Sequence, residues 1–441
     1  MREAEFSVGR VTRFYVPLLV QGFSQSLSYP LVAGIVTHGA YGVDALTAFS
    51  QGLMIMFMIG AIGGGLVTTG LVFAKTWVGY AAYKRLNAVM MTVLLALQCV
   101  PALPPIRGWV FEGVFALTPD LAAIAAKTLL MGVVMNGLFF LRNVPMVVLF
   151  NNLESAKANN ATLVRVAATL GLAIAFPRMG LVGASWGLVA LTAGVAVEFL
   201  LTWLYARPYV AALPNRPKSG GLSALPGLPK LVLEQFHFTL PLSLGGFLLM
   251  LSPVIIAAFV GRTANANDML AVHYVTIGVA NPVAFAALRM QTVAIKFPKE
   301  YCGDRRLLFY AVAAGLLLGL GPLAFATPWL GGSYFGSYQN VPPRILHTAR
   351  LAVGIYSLIP VVQAIRGRVE GLAAYAKRPK AIMAGQIAYT VSLFLTCTAL
   401  LPFGVPGWAI AVTAIFVAPI CVTATIYALL AVHGHSSRHR Q

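Results

Sequence analysis

The chain has 441 residues, of which 59% are apolar and 10% are charged. Soluble domains are about 45–50% apolar and about 25% charged, so this composition excludes an ordinary soluble protein and predicts a membrane protein with many spans. The formal net charge is +19. The basic residues are nevertheless scattered between apolar runs instead of forming one water-facing patch, which argues against a nucleic-acid binder.

Apolar runs of about 20 residues or more, long enough to cross a bilayer, occur twelve times along the chain. The predicted spans are 11–38, 43–74, 84–104, 120–150, 158–177, 180–206, 235–261, 265–297, 304–327, 343–375, 379–401 and 404–432. A linker rich in Pro, Gly, Lys and Arg separates the first six from the last six. We therefore predict an all-α polytopic membrane protein with one bundle at 1–206, the linker at 207–232, a second bundle at 233–432 and a basic tail at 433–441.

Connections rich in lysine and arginine alternate with poor ones along all twelve spans. The N-terminal segment, the linker and the tail belong to the rich set, and short cytoplasmic loops are the ones that collect these residues. We therefore expect a multi-pass protein of the cell inner (plasma) membrane with both termini in the cytoplasm.

The two halves of the sequence resemble one another. Pro17 in the first span corresponds to Pro241 in the seventh, and Trp186 corresponds to Trp408 at an offset of 222 residues. Because each half has six spans, both copies begin on the same side of the membrane, so the repeat is parallel. We expect two six-helix bundles around a central cleft.

Basic residues inside the spans are the first candidates for a binding site, because a charge within a span is costly unless it faces water or a partner. Lys127 and Arg142 are fifteen residues apart, which places them about 60° apart around one helix. Arg289 and Arg350 lie in the eighth and tenth spans. Snorkelling to the lipid head groups is the alternative explanation, above all for Arg142 and Arg289. It is the one we prefer for Arg165.

Uncharged polar residues extend the candidate site. Gln21, Gln25 and Ser28 follow one another at i, i+4 and i+7 on one face of the first span. This spacing suits a water-lined face and equally suits hydrogen bonds between helices. The other polar candidates are Gln51, His273 and Asn281.

Carboxylates are rare in this chain. It has twelve, of which Glu198 lies deep in a predicted span and the others, including Glu370, fall near span ends or in loops. An exporter of cationic drugs that is driven by protons or sodium needs buried carboxylates for its cargo and its coupling ion. A cleft with several cations and almost no acid should attract an anion instead.

The chain shows no catalytic or metal-binding spacing. Its four cysteines are isolated, and its seven histidines form no cluster with Asp, Glu or Cys, so we predict neither an enzyme nor a bound cofactor or metal. The expected partners are a small anionic substrate and the lipid bilayer, with a coupling ion left open and no nucleic acid. We expect the chain to be a monomer.

Several motifs resemble the multidrug/oligosaccharidyl-lipid/polysaccharide exporter (MOP) superfamily and its MATE-like fold. They are Arg13-Phe14 with Pro17, the Gly-rich second span ending in Gly70 to Phe73, Ser252-Pro253 with Arg262, Gly404 with Gly407, and a cluster of Ser357, Pro360, Val361, Arg366 and Gly371. Within the superfamily, the chain is most similar to the progressive ankylosis protein family, which exports organic and phosphate anions such as citrate, ATP and pyrophosphate. The resemblance implies an alternating-access anion exporter and adds Arg366 to the binding candidates.

Two other transporter functions stay open. A cation-coupled multidrug exporter of the MATE type would need buried carboxylates in its cleft. A lipid-linked saccharide flippase would also have a cationic cleft, but it would need a lateral opening for its lipid.

Overall fold

The computed structural model describes residues 7–115, 117–215, 227–298, 304–338 and 341–438; the side chains at 25–30, 43, 267, 304, 337–338 and 432–438 are outside the description. Every secondary-structure element in the described ranges is helical. Eleven segments are long and apolar enough to cross a membrane, and α1 (Val8–Thr37) adds a helix of 30 residues. The structure therefore agrees with the all-α fold of about twelve spans.

The helices are numbered α1 to α18 in chain order. The first half has α1 (Val8–Thr37), α2 (Gly42–Ile62), α3 (Gly65–Phe73), α4 (Trp77–Cys99), α5 (Pro104–Arg107), α6 (Pro119–Asn151), α7 (Ser155–Arg178) and α8 (Ala184–Ala211). The second half has α9 (Leu228–Leu249), α10 (Ser252–Val260), α11 (Ala266–Leu288), α12 (Met290–Lys296), α13 (Asp304–Ala324), α14 (Pro328–Gly331), α15 (Pro343–Tyr356), α16 (Ile359–Tyr375), α17 (Pro379–Leu400) and α18 (Gly407–Arg438). π-helical turns follow α5 at Gly108–Val114 and α14 at Gly332–Tyr338.

Four of the predicted spans are each made of two helices. These pairs are α2 with α3, α9 with α10, α11 with α12, and α15 with α16. The break after α2 falls at Gly63 and Gly64. Pro253 and Pro360 stand in the first turn of α10 and α16, where the missing proline N–H leaves no hydrogen bond unmade. The span 343–375 is therefore divided into α15 and α16 next to Pro360.

Helix covers both ends of the predicted linker 207–232. α8 continues through Pro208 to Ala211, and α9 begins at Leu228. The sequence-based boundary was drawn at Arg207 and Pro208, but a proline close to a helix end disturbs few backbone bonds. Residues 216–226 lie outside the described part of the chain.

The chain packs as two compact units. Unit 1 comprises Met1–Phe23 and Leu244–Gln441, and unit 2 comprises Ser24–Ser243. Their limits fall within α1 and α9, so they differ from a simple division at the linker. The bundle bounds 1–206 and 233–432 remain a prediction.

Within unit 2, α6 packs against α2, α4 and α8. Pro119 opens α6 and Asp120 lies in its first turn, the residue types that favour a helix start. Asn136 on this helix donates to the Met56 carbonyl at 3.3 Å and to Gln98 Oε1 at 2.8 Å. These bonds hold α2 and α4 against α6 through polar groups that hydrocarbon would leave unsatisfied.

Within unit 1, α16 packs against α11, α12, α13 and α18. The first half of α1 joins this unit through two tyrosine hydroxyls. Tyr15 donates to the Ala287 carbonyl at 3.1 Å, and Tyr310 on α13 donates to the Thr12 hydroxyl at 3.0 Å. The N-terminal helix is therefore fixed to the second half of the sequence by specific bonds.

Four pairs of corresponding elements in the two halves start 224 residues apart. The pairs of starting residues are Pro104 and Pro328, Gly108 and Gly332, Pro119 and Pro343, and Ser155 and Pro379. The offset of 222 was two residues short because it aligned Trp186 with Trp408. At the observed offset, Gly183 before α8 corresponds to Gly407, and Arg142 corresponds to Arg366.

Candidate functional site

Two arginines and one glutamate meet where α6, α7 and α8 come together. Glu198 Oε2 accepts hydrogen bonds from Arg142 Nη1 at 2.6 Å and from Arg165 Nη1 at 3.1 Å. The Thr162 hydroxyl donates to the other oxygen of the same carboxylate. The Glu198 side chain is 0% exposed, that of Arg165 3% and that of Arg142 11%. These four residues form the α6–α8 arginine cluster.

Local packing explains how the α6–α8 arginine cluster forms. Gly194 lies one turn before Glu198, and a Cβ atom at Gly194 would stand 3.2 Å from Arg165 Cγ, so glycine lets α7 approach α8. The Arg142 guanidinium lies 4.8 Å from the centre of the Phe139 ring, a distance that fits a cation–π contact. Arg165 was predicted to snorkel, and this prediction is wrong, because its side chain is buried and bonds to the buried carboxylate of Glu198.

A second buried pair lies on α16. Arg366 Nε donates to Glu370 Oε1 at 2.8 Å, and its Nη2 donates to Gln386 Oε1 of α17 at 3.0 Å. Gln386 Nε2 donates to the same Glu370 oxygen at 3.1 Å, and both charged side chains are buried. We call these three residues the α16–α17 arginine pair. Glu370 was predicted near a span end, and it lies five residues before the end of α16 at Tyr375. The i, i+4 spacing brings it beside Arg366, a pairing that was not predicted.

Arg368 is a further buried cation on α16. It lies two positions after Arg366, which turns it about 200° around the helix. Its Nη1 donates to the Tyr427 hydroxyl of α18, so Arg368 belongs to the contact between α16 and α18.

The two arginine groups occupy equivalent positions in the two halves. At the 224-residue offset, Arg142 corresponds to Arg366 and Thr162 to Gln386. The carboxylates do not correspond, because Glu198 lies on α8 whereas Glu370 lies on the same helix as its arginine. Each half therefore holds a paired arginine at the corresponding sequence position but takes the opposing charge from a different helix.

Lys127 and Arg142 do not meet in the structure. Lys127 is exposed on α6, on a face that also presents Leu130 and Val134, which are 45% and 61% exposed. Large exposed apolar residues on a spanning helix are suited to lipid, so this placement favours the snorkelling alternative for Lys127. Asn281 is also exposed, on α11 next to Pro282.

Arg350 supports a connection between helices. Its Nε donates to the Ala326 carbonyl at 3.2 Å, just beyond the end of α13. A carbonyl at a helix end lacks an intrahelical partner, so the guanidinium satisfies it and fixes α15 to the chain that enters α14. Arg350 therefore has a structural partner in addition to its predicted binding role.

The other candidates of unit 1 lie on α1 and α11. His273 is buried, with Nδ1 3.3 Å from the Tyr356 hydroxyl of α15. Arg289 stands between α11 and α12, and its Nε would be 3.7 Å from a Cβ atom at Gly22. Gln21, the neighbour of Gly22, is buried as well. The structure thus brings Arg289 close to the candidate segment of α1.

Three polar candidates belong to unit 2. Gln51 on α2 is partly buried, and its Oε1 has no hydrogen-bond partner among the residues that the structure describes. Gln25 and Ser28 lie outside the described side chains. Among the described residues, no group of three or more His, Cys, Asp or Glu could hold a metal ion.

Solved structures match the chain over nearly its whole length. An outward-facing multidrug resistance MATE transporter of the MOP superfamily is 16% identical, with a TM-score of 0.71 and 96% of each chain covered. VcmN, a MATE transporter of Vibrio cholerae solved as a mutant, is 15% identical, with a TM-score of 0.71, and the match covers 96% of this chain and 97% of that one. The fold is that of the MATE transporters. Neither a family model nor a curated protein matches the chain.

A third solved structure has the same MATE fold. It is a MOP superfamily transporter from Pyrococcus furiosus, described as having a binding pocket of reversed polarity that suggests a different function. It is 15% identical, with a TM-score of 0.67 and 97% of each chain covered. The MATE-like fold is therefore confirmed, and the progressive ankylosis family stays a prediction.

Proposed function

We propose that the chain is a membrane transporter that exports small multivalent anions of the citrate, nucleotide or pyrophosphate type by alternating access. One observation carries this proposal. Among the side chains that the structure describes, the buried carboxylates are Glu198 and Glu370, and each is bonded to arginine. The buried arginines Arg165, Arg366 and Arg368 outnumber these two carboxylates, so the buried charge of the described residues is positive.

The sign of the buried charge decides between an anionic and a cationic substrate. A cationic drug, or a proton or sodium ion that drives its export, needs an ionised carboxylate that it can approach. Both buried glutamates already face guanidinium groups, which would repel such a cation. A carboxylate or phosphate ligand instead finds groups whose planar fork matches its oxygens.

Ligand-dependent thermal stability tests the sign of the substrate. We expect citrate and inorganic pyrophosphate to raise the unfolding temperature of the purified chain and to compete with each other, whereas ethidium should have no effect. A ligand at 100 times its Kd stabilises by about 2.7 kcal/mol, which is readily measured. Sodium chloride at matched ionic strength is the control for screening. Stabilisation by ethidium without any response to the anions would reverse the assignment.

A cation-coupled multidrug exporter is the second candidate function. The observation in its favour is the match to an outward-facing multidrug resistance transporter over 96% of both chains. Uptake of ethidium or of radiolabelled citrate into proteoliposomes distinguishes the two functions directly.

The orientation in the inner membrane is also part of the proposal. A cysteine introduced at Ser219, in a background from which the four natural cysteines have been removed, should react with a membrane-impermeant maleimide only after the cells are opened. The reason is that the linker carries several of the basic residues typical of cytoplasmic loops. Labelling of intact cells would contradict the proposed orientation.

A further inference from the structure

The α6–α8 arginine cluster contains more positive than negative charge. Arg142 and Arg165 both bond to one oxygen of Glu198, so two guanidinium groups share one carboxylate. Glu198 is the only buried carboxylate among the described residues of unit 2. An excess positive charge inside a membrane protein is costly, and a bound anion would lower that cost.

The arginines of the two halves differ in how fully their donors are used. Arg366 uses Nε and Nη2 for hydrogen bonds, and its side chain is 3% exposed. Arg142 uses Nη1 for Glu198, while its Nε is buried with no hydrogen-bond partner among the described residues. An unmade hydrogen bond from a buried charged donor is costly. At the equivalent positions, Arg366 on α16 therefore bonds to protein partners through two of its nitrogens, whereas Arg142 on α6 has a buried donor without a partner in the described part of the chain.

The geometry of Arg142 suits an oxyanion. The Arg142 Cζ lies 4.8 Å from the centre of the Phe139 ring, while the N–H donors of the guanidinium point outward in the plane of the group. An arginine edge binds two oxygens of a carboxylate or phosphate in parallel. In the structure, Glu198 supplies one of these oxygens from within the protein.

We propose that Glu198 is an internal occupant of an anion subsite formed by Arg142 and Arg165, and that a carboxylate or phosphate group of the substrate takes its place on Arg142. This inference rests on the proposed anion function and assigns it a location. Glu198 then acts as a competitor that keeps the arginines paired when no substrate is bound. The α16–α17 arginine pair is structural and does not exchange its glutamate.

Removing the charge of Glu198 is the sharpest test, because the proposal then predicts tighter anion binding instead of a loss. Glu198→Gln keeps the shape of the side chain and removes the competing charge, so we expect inorganic pyrophosphate and citrate to bind about tenfold more tightly. The variant should be less stable than the parent without anion, and pyrophosphate should restore its unfolding temperature. Isothermal titration and thermal unfolding of the full-length purified chain measure both effects.

Substitutions of Arg142 test the other side of the subsite. Arg142→Gln should weaken pyrophosphate binding by roughly ten- to hundredfold, and Arg142→Lys should weaken it as well, since lysine offers a point charge instead of a fork. Glu370→Gln is the matched variant of the second half and should not tighten binding. Asp268→Asn, which removes an ion pair with the exposed Arg344, is the surface control and should bind like the parent.

The outcomes distinguish a failure of the subsite proposal from a failure of the proposed function. If the parent binds and transports citrate while Glu198→Gln and Arg142→Gln leave binding unchanged, the subsite is wrong and the anion function stands. Tighter binding in Glu370→Gln equal to that in Glu198→Gln would also overturn it, because the effect would then reflect net charge. If the parent binds ethidium and no anion, the proposed function fails, and this inference fails with it. Should Arg142→Gln not fold, Arg142→Lys and the gain in Glu198→Gln still decide.

Discussion

Replacing Glu370 with leucine should lower the free energy of unfolding by about 3–5 kcal/mol, because it leaves the Arg366 charge buried without its carboxylate. The triple variant Arg366→Met, Glu370→Leu, Gln386→Leu should lose less free energy of unfolding than Glu370→Leu, although it changes more residues. It removes the two charges together with the amide that bonds to both of them. Apolar groups of similar volume often replace a buried ion pair without loss. Denaturant unfolding in one detergent, followed by circular dichroism, compares the three proteins.

A surface ion pair of the same length provides the control for this prediction. Arg344 and Asp268 also lie 2.8 Å apart, but the arginine side chain is 72% exposed, and water screens such pairs. Asp268→Asn should therefore change stability little. Equal losses in Asp268→Asn and Glu370→Leu would show that burial does not set the cost. A triple variant less stable than Glu370→Leu would show that the pair contributes net stability.

The positions of the spans could be predicted from the sequence because the bilayer imposes one minimum length on each of them. The predicted span 343–375 coincides with the observed segment Pro343–Tyr375, and the predicted span 120–150 differs by one residue at each end from Pro119–Asn151. Proline and glycine also stand at two of the observed breaks, at Pro360 and at Gly63. These signals are local, so one sequence is enough to show them.

The partners of the buried charges could not be predicted in the same way. Glu198, Arg142 and Arg165 come from three helices, and which faces meet depends on how each helix is rotated about its axis. Helices that are apolar on all sides give no amphipathic stripe that reveals this rotation. Lys127 and Arg142 illustrate the difficulty, since their predicted separation of about 60° is compatible with one residue being exposed and the other paired.

The α16–α17 arginine pair is a different case, because its central contact was visible in the sequence. Arg366 and Glu370 are four residues apart, and residues at this spacing are neighbours on a helix. Glu370 was predicted only as a residue near a span end, and its pairing with Arg366 was not predicted. The positive-inside rule describes loops and span ends, and it gives no information about charges that are paired inside a bundle.

The crossing of α12 and α16 requires a glycine for steric reasons. A Cβ atom at Gly371 would lie 2.5 Å from the Gln291 carbonyl oxygen and 2.6 Å from Ala294 Cβ. The equivalent crossing of the first half is formed by α3 and α6, where a Cβ atom at Gly70 would lie 2.7 Å from the methyl groups of Val147. Since Gly70 corresponds to Ala294 and Val147 to Gly371 at the 224-residue offset, the glycine of this contact lies on opposite helices in the two halves.

Gly371→Val should therefore prevent normal folding. We expect it to lower the free energy of unfolding by more than about 3 kcal/mol, at the upper end of what overpacking costs. The carbonyl of Gln291 belongs to the backbone and cannot turn away, so α12 and α16 would have to separate. Adding Ala294→Gly removes one of the two collisions and should restore part of the yield and the unfolding temperature. Gly278→Ala is the control, since a Cβ atom there meets nothing within 4 Å and alanine favours a helix over glycine by about 1 kcal/mol. The yield of protein in the membrane and its size-exclusion profile measure folding of each variant. A Gly371→Val protein as abundant and stable as Gly278→Ala would contradict the close crossing of α12 and α16.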